Sequence, residues 1–211
     1  MSLILATLGA AAFLLAASVA VFALANRGPR NALLLALAQN RRWIAPRIIV
    51  VGDSLAACCP FAELSRRPLG VLTLARGGAT LKEIAGQIQQ ARPIAARYVI
   101  IDGGLNDILF HDAPPEQIDN DFRALLRCLD EGATAIFTLM PYVADPSRSE
   151  RIEAANRRMS ALCAEHGVAV LDLNPELSTG GVRRPEMTDD GLHFSPRANA
   201  VWIAAVRRMT A

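Results

Sequence analysis

From Ile48 onward, short apolar runs alternate with longer stretches in which apolar residues recur at helical spacing. The short runs contain no regular polar positions, which is typical of strands buried on both faces of a sheet. They predict strands at Ile48–Val51, Val71–Leu74, Tyr98–Asp102, Thr134–Met140 and Val168–Leu173. The stretches between and after them predict helices at Leu81–Arg97, Pro115–Glu131, Ser149–His166 and Pro196–Met209. This order predicts an α/β fold, a three-layer α/β/α domain around a doubly wound parallel sheet of about five strands.

Residues that favour helix ends support these boundaries. Ser195 precedes Pro196, and a serine N-cap followed by a proline in the first turn is a typical helix start. Gly132 and Gly167 follow two of the predicted helices, where a glycine C-cap is expected.

The amino terminus differs from the rest of the chain, because Leu3–Ala25 is a run of 23 residues without a charge. A helix needs about 20 such residues to cross a bilayer. A cleaved signal peptide is the alternative, since the run ends in Ala-Leu-Ala, which looks like a cleavage site. However, only Met1 and Ser2 precede the run, and a signal peptide has a basic start and an apolar part of about 7–15 residues. We therefore expect an uncleaved transmembrane anchor over residues 1–26.

The distribution of arginines predicts the orientation of this anchor. Five arginines follow the run within a short distance and none precedes it: Arg27, Arg30, Arg41, Arg42 and Arg47. The positive-inside rule then places the globular domain in the cytoplasm, with an exported, periplasmic domain as the alternative.

Residues 27–46 form a juxtamembrane segment in this interpretation, and 47–211 form the globular domain. The segment contains an apolar stretch, Asn31–Trp43, which either lies at the membrane interface or packs on the domain. Within the anchor, Ala12, Ala16 and Ala20 form a stripe of small residues that would admit a partner helix, although such a stripe also arises by chance in an alanine-rich span.

The composition excludes several classes of function. The net charge is only +2 and no Lys/Arg block is longer than two residues, so we expect no nucleic-acid partner. The four cysteines show no C-x-x-C spacing, and we expect no metal site. Neither of the two glycine-rich phosphate-binding motifs occurs, which argues against a nucleotide-binding domain.

Candidate chemistry begins directly after the first predicted strand, at Gly52-Asp53-Ser54. These are ordinary turn residues, but ligands of doubly wound sheets bind at the carboxyl ends of strands. A serine nucleophile requires a base, which is usually histidine. Of the three histidines, His193 lies in a polar loop before the last helix, with Asp190 three residues ahead of it. Asp190 could orient the His193 ring, although the pair could also simply cap the loop.

Two further strand-end loops offer hydrogen-bond donors for an oxyanion. The loop Asp102–Asp107, "DGGLND", contains the amide of Asn106, and "LARGGAT" contains Gly77 and Gly78, either of which could present a backbone N–H. Both loops also suit tight turns, in which glycine supplies backbone freedom.

Taken in order, Gly52-Asp53-Ser54-Leu55, a glycine after the second strand, Gly104-x-Asn106-Asp107 and Asp190-x-x-His193 resemble the four sequence blocks of the GDSL/SGNH hydrolase family. The resemblance covers the chain from Ile48 to its end and implies a flavodoxin-like hydrolase domain without a cofactor.

By this resemblance, Ser54 is the nucleophile, His193 its base and Asp190 the acid that orients the base. The oxyanion hole then consists of the Ser54 and Gly77 backbone N–H groups and the Asn106 side chain. One position departs from the pattern: many members have asparagine two residues before the second-block glycine, where this chain has Ala75.

We therefore expect a membrane-anchored serine esterase or lipase that works through an acyl-enzyme. The substrate would be a small acyl ester, an acyl lipid or lysophospholipid, an acetyl ester or a thioester. The loops Met140–Glu150 and Leu177–Met187 are expected to shape specificity. The alternative is a non-catalytic, accessory subunit of a membrane complex that uses the same domain as a scaffold.

Overall fold

The computed structural model describes residues 35–39, 46–67 and 70–211. Five parallel strands form one sheet in the order β2-β1-β3-β4-β5. The strands are β1 (Ile48–Val51), β2 (Val71–Thr73), β3 (Tyr98–Ile101), β4 (Thr134–Thr138) and β5 (Ala169–Leu171). This sheet confirms the predicted parallel α/β architecture. Strands β2, β3, β4 and β5 end one or two residues earlier than predicted, and β5 also begins one residue later.

Strand β1 lies between β2 and β3, so the loops after these three strands meet at one edge of the sheet. Val51 pairs with Ile101, and Val50 pairs with Thr73 and Ile100. All four residues of β1 and all four of β3 are buried. A polar residue that follows β1 therefore lies at the carboxyl edge of the sheet, directly after a rigid and fully buried strand.

Helices cover both faces of the sheet. The longer ones are α2 (Leu81–Ala91), α4 (Pro115–Leu126), α5 (Ser149–Glu165) and α7 (Pro196–Met209), and the short ones are α1 (Ser54–Cys58), α3 (Leu105–Leu109) and α6 (Asn174–Leu177). Helices α2, α4 and α5 pack side by side on one face, as right-handed crossovers require. On the other face, Trp202 of α7 packs edge-on against Phe61, with ring centroids 4.8 Å apart.

The predicted helix ends are correct in some places and wrong in others. The Ser195 hydroxyl caps α7 by accepting the Ala198 N–H, and Gly167 follows α5 with a left-handed φ of 67°. Helix α2 ends at Ala91 rather than Arg97, because Pro93 has no N–H to donate to the helix. Helix α4 ends at Leu126, five residues before the predicted end, so Gly132 is not its cap.

A small hairpin, β6 (Ser178–Thr179) and β7 (Val182–Arg183), lies between α6 and the last helix and was not predicted. Its backbone is joined to the loop after β4 by the bond from Arg183 N–H to the Val143 carbonyl, 3.1 Å. In the same loop, the Ala144 N–H donates to the Gly191 carbonyl at 2.8 Å. The two loops expected to shape specificity therefore pack against each other and against the segment before His193.

The predicted anchor and its alanine stripe lie outside the described residues, as does most of the juxtamembrane segment. Residues 35–39 form a short helical stretch. Within the described ranges, no helix combines the length and apolar character needed to cross a membrane.

Candidate active site

Ser54 is the first residue of α1, and Gly52 makes its placement possible. A Cβ on Gly52 would lie 2.9 Å from the Ala56 Cβ and 3.0 Å from the Asp102 carbonyl oxygen, so only glycine fits where the chain turns from β1 into the helix. Asp53 is the N-cap of α1, and its Oδ1 accepts the Leu55 N–H at 2.9 Å. Ser54 itself is partly exposed, so its hydroxyl is accessible from solvent.

The turn is held from a second side by Gln87 of α2, which is 1% exposed. Its Oε1 accepts the Gly52 N–H at 2.8 Å, and its Nε2 donates to the Gly52 carbonyl at 3.0 Å. One amide side chain therefore satisfies both backbone groups of the glycine. Gln87 was not predicted from the sequence, because a glutamine in an amphipathic helix carries no signal of a long-range contact.

The side chains of Ser54, His193 and Asp190 form one chain of hydrogen bonds. The His193 Nε2 lies 3.0 Å from the Ser54 Oγ, and the His193 Nδ1 lies 2.6 Å from the Asp190 Oδ2. The structure thus brings together three residues that are separated by up to 139 positions. The other two histidines contact neither Ser54 nor Asp190 in the described residues: His166 is the C-cap of α5, and His111 follows α3.

Asp190 also orders the loop that contains His193. Its Oδ1 accepts the backbone N–H groups of Leu192 at 2.9 Å and of His193 at 2.7 Å. The hydrogen bond from the His193 ring, followed by the two backbone bonds, lowers the pKa of Asp190. Asp190 is therefore ionised at neutral pH and orients both the loop and the ring.

The second and third sequence blocks reach the same edge of the sheet. A Cβ on Gly77 would lie 3.9 Å from the Ser54 Cβ, whereas a Cβ on Gly78 would meet nothing within 4 Å. Gly77 is thus the glycine beside Ser54. The bond from Arg76 N–H to the Gly52 carbonyl, 3.1 Å, holds this loop against the serine turn.

Asn106 is 6% exposed, and its amide nitrogen donates to the Ala79 carbonyl at 3.0 Å and to the Asp53 Oδ2 at 3.3 Å. Its amide thus joins the glycine loop to the serine turn. The next residue, Asp107, accepts the Leu81 N–H through Oδ2 at 3.1 Å. These bonds support the Gly77 loop, in which the methyl side chain of Ala75 cannot form hydrogen bonds.

Asp53 and Asp102 form a buried carboxyl pair behind Ser54, each 2% exposed. Burial raises the pKa of both groups, and for Asp102 the charge of Asp53 raises the pKa further. Because these two carboxyl groups are close together and buried, ionisation of one opposes ionisation of the other, and the charged form of Asp102 is the more strongly disfavoured.

The comparison with known families agrees with this arrangement of blocks. The model of the GDSL-like lipase/acylhydrolase family matches residues 50–201, which include every residue of the site. The chain belongs to this family. Its members are hydrolases that act on ester bonds, and the GDSL/SGNH resemblance of the sequence is thereby confirmed.

Solved structures of similar fold include a GDSL-like lipase from Bacteroides thetaiotaomicron, with a TM-score of 0.71 and 16% identity over 88% of this chain and 97% of that one. A lipase/acylhydrolase from Enterococcus faecalis has a TM-score of 0.65 and 21% identity over 77% of this chain and 94% of that one. At these identities the likeness concerns the fold.

Among curated proteins, an N-acylneuraminate cytidylyltransferase from Streptococcus agalactiae is 27% identical over 127 residues, 59% of this chain and 30% of the relative. The chain thus spans less than a third of the length of the curated relatives that it matches. The cytidylyltransferase activity in their name belongs to those longer proteins.

Proposed function

We propose that this GDSL-like acylhydrolase cleaves esters through a Ser54-His193-Asp190 triad and an acyl-enzyme. The observation that carries the proposal is the pair of contacts made by the His193 ring, 3.0 Å from the Ser54 Oγ and 2.6 Å from the Asp190 Oδ2. A nucleophile, a base and a group that orients the base are the three components that covalent catalysis requires.

The contacts assign a role to each nitrogen of the ring. Because the Asp190 carboxylate can only accept, Nδ1 carries a hydrogen, and Nε2 presents its lone pair to the Ser54 hydroxyl. During attack, the Ser54 Oγ bonds to the acyl carbon while its proton moves to Nε2. Asp190 stabilises the imidazolium so formed, which then protonates the departing alkoxide or thiolate.

The second half of the reaction reverses these steps with water as nucleophile. His193 removes a proton from water, the resulting hydroxide attacks the acyl carbon, and the proton returns to the Ser54 Oγ as the acid leaves. The partial exposure of both Ser54 and His193 gives water a path to the ester.

In this proposal the negative oxygen of the tetrahedral intermediate is bound by the Ser54 and Gly77 N–H groups and by the Asn106 amide. The nearness of Gly77 to Ser54 supports its part in the hole. Asn106 already donates to Ala79 and Asp53, and the longer bond, 3.3 Å to Asp53, is the one that it would exchange for the oxyanion. Such donors act mainly on the transition state, so they raise kcat.

For the substrate, we propose an acyl group with an apolar chain. Phe110 is one of two large hydrophobic residues of the described chain that are exposed, at 66%. It lies four residues after Asn106, and its N–H bonds to the Asn106 carbonyl at 3.0 Å. Residues four apart occupy the same face of a helix, so Phe110 stands one turn from the oxyanion donor, where an acyl chain would extend.

We also propose that the enzyme is attached to a membrane through residues 1–26 with its domain on the cytoplasmic side. The uncharged run of 23 residues and the arginines that follow it support this proposal. An apolar acyl chain would then be available from the adjacent lipid.

The test is chemical labelling of the nucleophile. A fluorophosphonate should label Ser54 of the full chain, as located by peptide mass spectrometry, and Ser54→Ala should abolish both labelling and hydrolysis of p-nitrophenyl esters. Ser160→Ala, in helix α5, is the matched control and should behave as wild type. Labelling at another serine, or an active Ser54→Ala, would refute the proposal. A folded wild type without esterase activity would also refute it, and this is the result that the accessory-subunit alternative predicts.

A further inference from the structure

Arg183 is a buried cation that contacts both sequence neighbours of His193. It lies on β7 and is 2% exposed. Its Nη1 donates to the carbonyl of Leu192 at 2.6 Å, and its guanidinium carbon lies 4.6 Å from the centre of the Phe194 ring. The side chain therefore holds the chain immediately before and immediately after the histidine.

The cost of burying the Arg183 charge is not offset by an ion pair with a carboxylate in the described part of the chain. Its Nε and Nη2 are buried and have no hydrogen-bond partner in the described part of the chain. None of the ion pairs formed there includes Arg183. An apolar residue of similar size is often at least as stable in such a place, so stability alone does not account for an arginine.

The charge of Arg183 nevertheless persists and acts on the site. Burial lowers the pKa of Arg183 to about 10, against the attraction of Asp102 and Asp190, so the group is cationic at neutral pH. Of these two carboxyl groups, Asp190 is the one that orders the His193 loop. The Asp102 Oδ2 is likewise buried without a hydrogen-bond partner among the described residues.

We propose that Arg183 is a positioning residue for His193, which clamps the histidine loop from its buried side while Asp190 orders it from its exposed side. The inference rests on the proposed triad and adds a residue to its support.

The clamp is connected to the sheet through a continuous series of contacts. The Phe194 ring stands edge-on to Trp202, with centroids 5.4 Å apart, and the Trp202 Nε1 donates to the Thr138 hydroxyl of β4 at 3.1 Å. Arg183 thus places the loop against a rigid part of the core. Removing the guanidinium would release the Leu192 carbonyl, and a displacement of about 1 Å at the His193 ring can cost about 100-fold in rate.

The experiment compares Arg183→Met with Arg184→Met, in the full chain and well below the melting temperature of each variant. Arg184 is the matched control, since its guanidinium contacts Glu176 and Glu186 instead of the loop. We measure kcat and KM for a p-nitrophenyl ester and the rate of Ser54 labelling by a fluorophosphonate. Arg183→Met should lower kcat and the labelling rate together, by about 10- to 100-fold, with KM within about twofold. Arg184→Met should change neither rate by more than about twofold.

Rescue separates positioning from a purely structural role. Arg183→Ala should regain kcat as millimolar ethylguanidinium is added, to a saturating value and without a change in KM. Should these variants not fold, Arg183→Lys decides the question. A lysine keeps the charge but cannot bind the Leu192 carbonyl and cover the Phe194 ring together, so the folded variant should still lose at least about fivefold in kcat.

Three results would overturn the inference. The first is a folded Arg183→Met that keeps wild-type kcat and has only a lower melting temperature. The second is wild-type kcat in Arg183→Lys when Arg183→Met and Arg183→Ala do not fold, and the third is failure of all three variants to fold. Absence of labelling in the wild type would instead refute the proposed triad. The labelling rate of the wild type therefore distinguishes the two failures.

Discussion

Asp190 binds His193 at two points, because its Oδ1 accepts the histidine N–H at 2.7 Å while its Oδ2 lies 2.6 Å from the ring Nδ1. A separation of three residues lets one carboxylate reach both the backbone and the ring of the same histidine. The carboxylate therefore sets the position of the loop and the direction of the ring together, which a more distant acid could not do.

This double contact predicts the effect of Asp190→Asn. The amide oxygen can still accept the two backbone N–H groups, but an amide that does so can no longer accept from Nδ1 as a carboxylate does. We expect a loss of about 10²- to 10⁴-fold in kcat with a small change in melting temperature. The adjacent and exposed Asp189→Asn is the control, and steady-state kinetics with thermal melts is the measurement. Near wild-type kcat in Asp190→Asn would show that Asp190 is only a loop cap.

The proposed oxyanion role of Asn106 predicts that its loss lowers kcat but leaves KM nearly unchanged. Asn106→Ala should lose about 10²- to 10³-fold in kcat with KM nearly unchanged. Asn106→Asp should be at least as impaired, because a carboxylate repels the oxyanion. Asn120→Ala, an exposed residue of α4, is the control.

The bond from Asn106 to the Ala79 carbonyl allows a different outcome to be recognised. If Asn106→Ala keeps kcat within about threefold of wild type but lowers the melting temperature, the residue serves only to hold the glycine loop. Circular dichroism melts recorded beside the kinetics distinguish the two roles.

Asp107 predicts a specific dependence of stability on pH. Burial raises the pKa of Asp107 to about 6, although its bond from the Leu81 N–H opposes the rise. In the unfolded chain an aspartate ionises near pH ~3.9. Between these values the folded state holds a proton that the unfolded state has lost, so this group makes the free energy of unfolding fall as pH rises from about 4 to about 6.

Asp107→Asn removes this titration. The melting temperature of wild type minus that of Asp107→Asn should therefore be largest near pH ~4 and should decline toward pH ~7. Thermal melts at unit steps of pH measure it. A difference that is constant or increases with pH would contradict the prediction.

The exposed Phe110 predicts acyl-chain selectivity. Phe110→Ser should lower the ratio of kcat/KM for an octanoyl ester to that for an acetyl ester by about tenfold, which corresponds to the loss of ~1.4 kcal/mol of apolar contact. Val170→Ser, at the other exposed large hydrophobic residue of the described chain, on edge strand β5, is the control. An unchanged ratio would assign the acyl chain to another surface.

The proposed membrane topology predicts that a reporter fused after Ala211 is active only in the cytoplasm and that the purified protein retains residue 1 or 2 at its amino terminus. A reporter active only after export would contradict the cytoplasmic orientation. A mature chain that begins at Asn26 would instead identify the run as a cleaved signal peptide.

The sequence by itself determined where the strands lie and which residues follow them. Apolar runs such as Ile48–Val51 need burial on both faces, and this requirement is visible locally. Polar blocks at the strand ends were enough to select Ser54 and Asn106 as candidates, because parallel strands deliver their carboxyl ends to one edge. His193 was selected instead as the histidine of a polar loop that has Asp190 three residues ahead of it.

Tertiary structure alone decided the contacts between distant segments. Three features follow from how helices pack on the sheet, which no local pattern encodes. They are the hydrogen bonds of Gln87 to Gly52, the position of Gly77 rather than Gly78 beside Ser54, and the exposure of Phe110. Arg183 is the strongest case: in the sequence it is one of two arginines in a polar loop, and only the packing of the hairpin buries one and leaves the other nearer the surface. Burial depends on how the layers of the fold assemble. The environment of a side chain therefore cannot be determined from its neighbours in the chain, whereas the periodicity of apolar residues can.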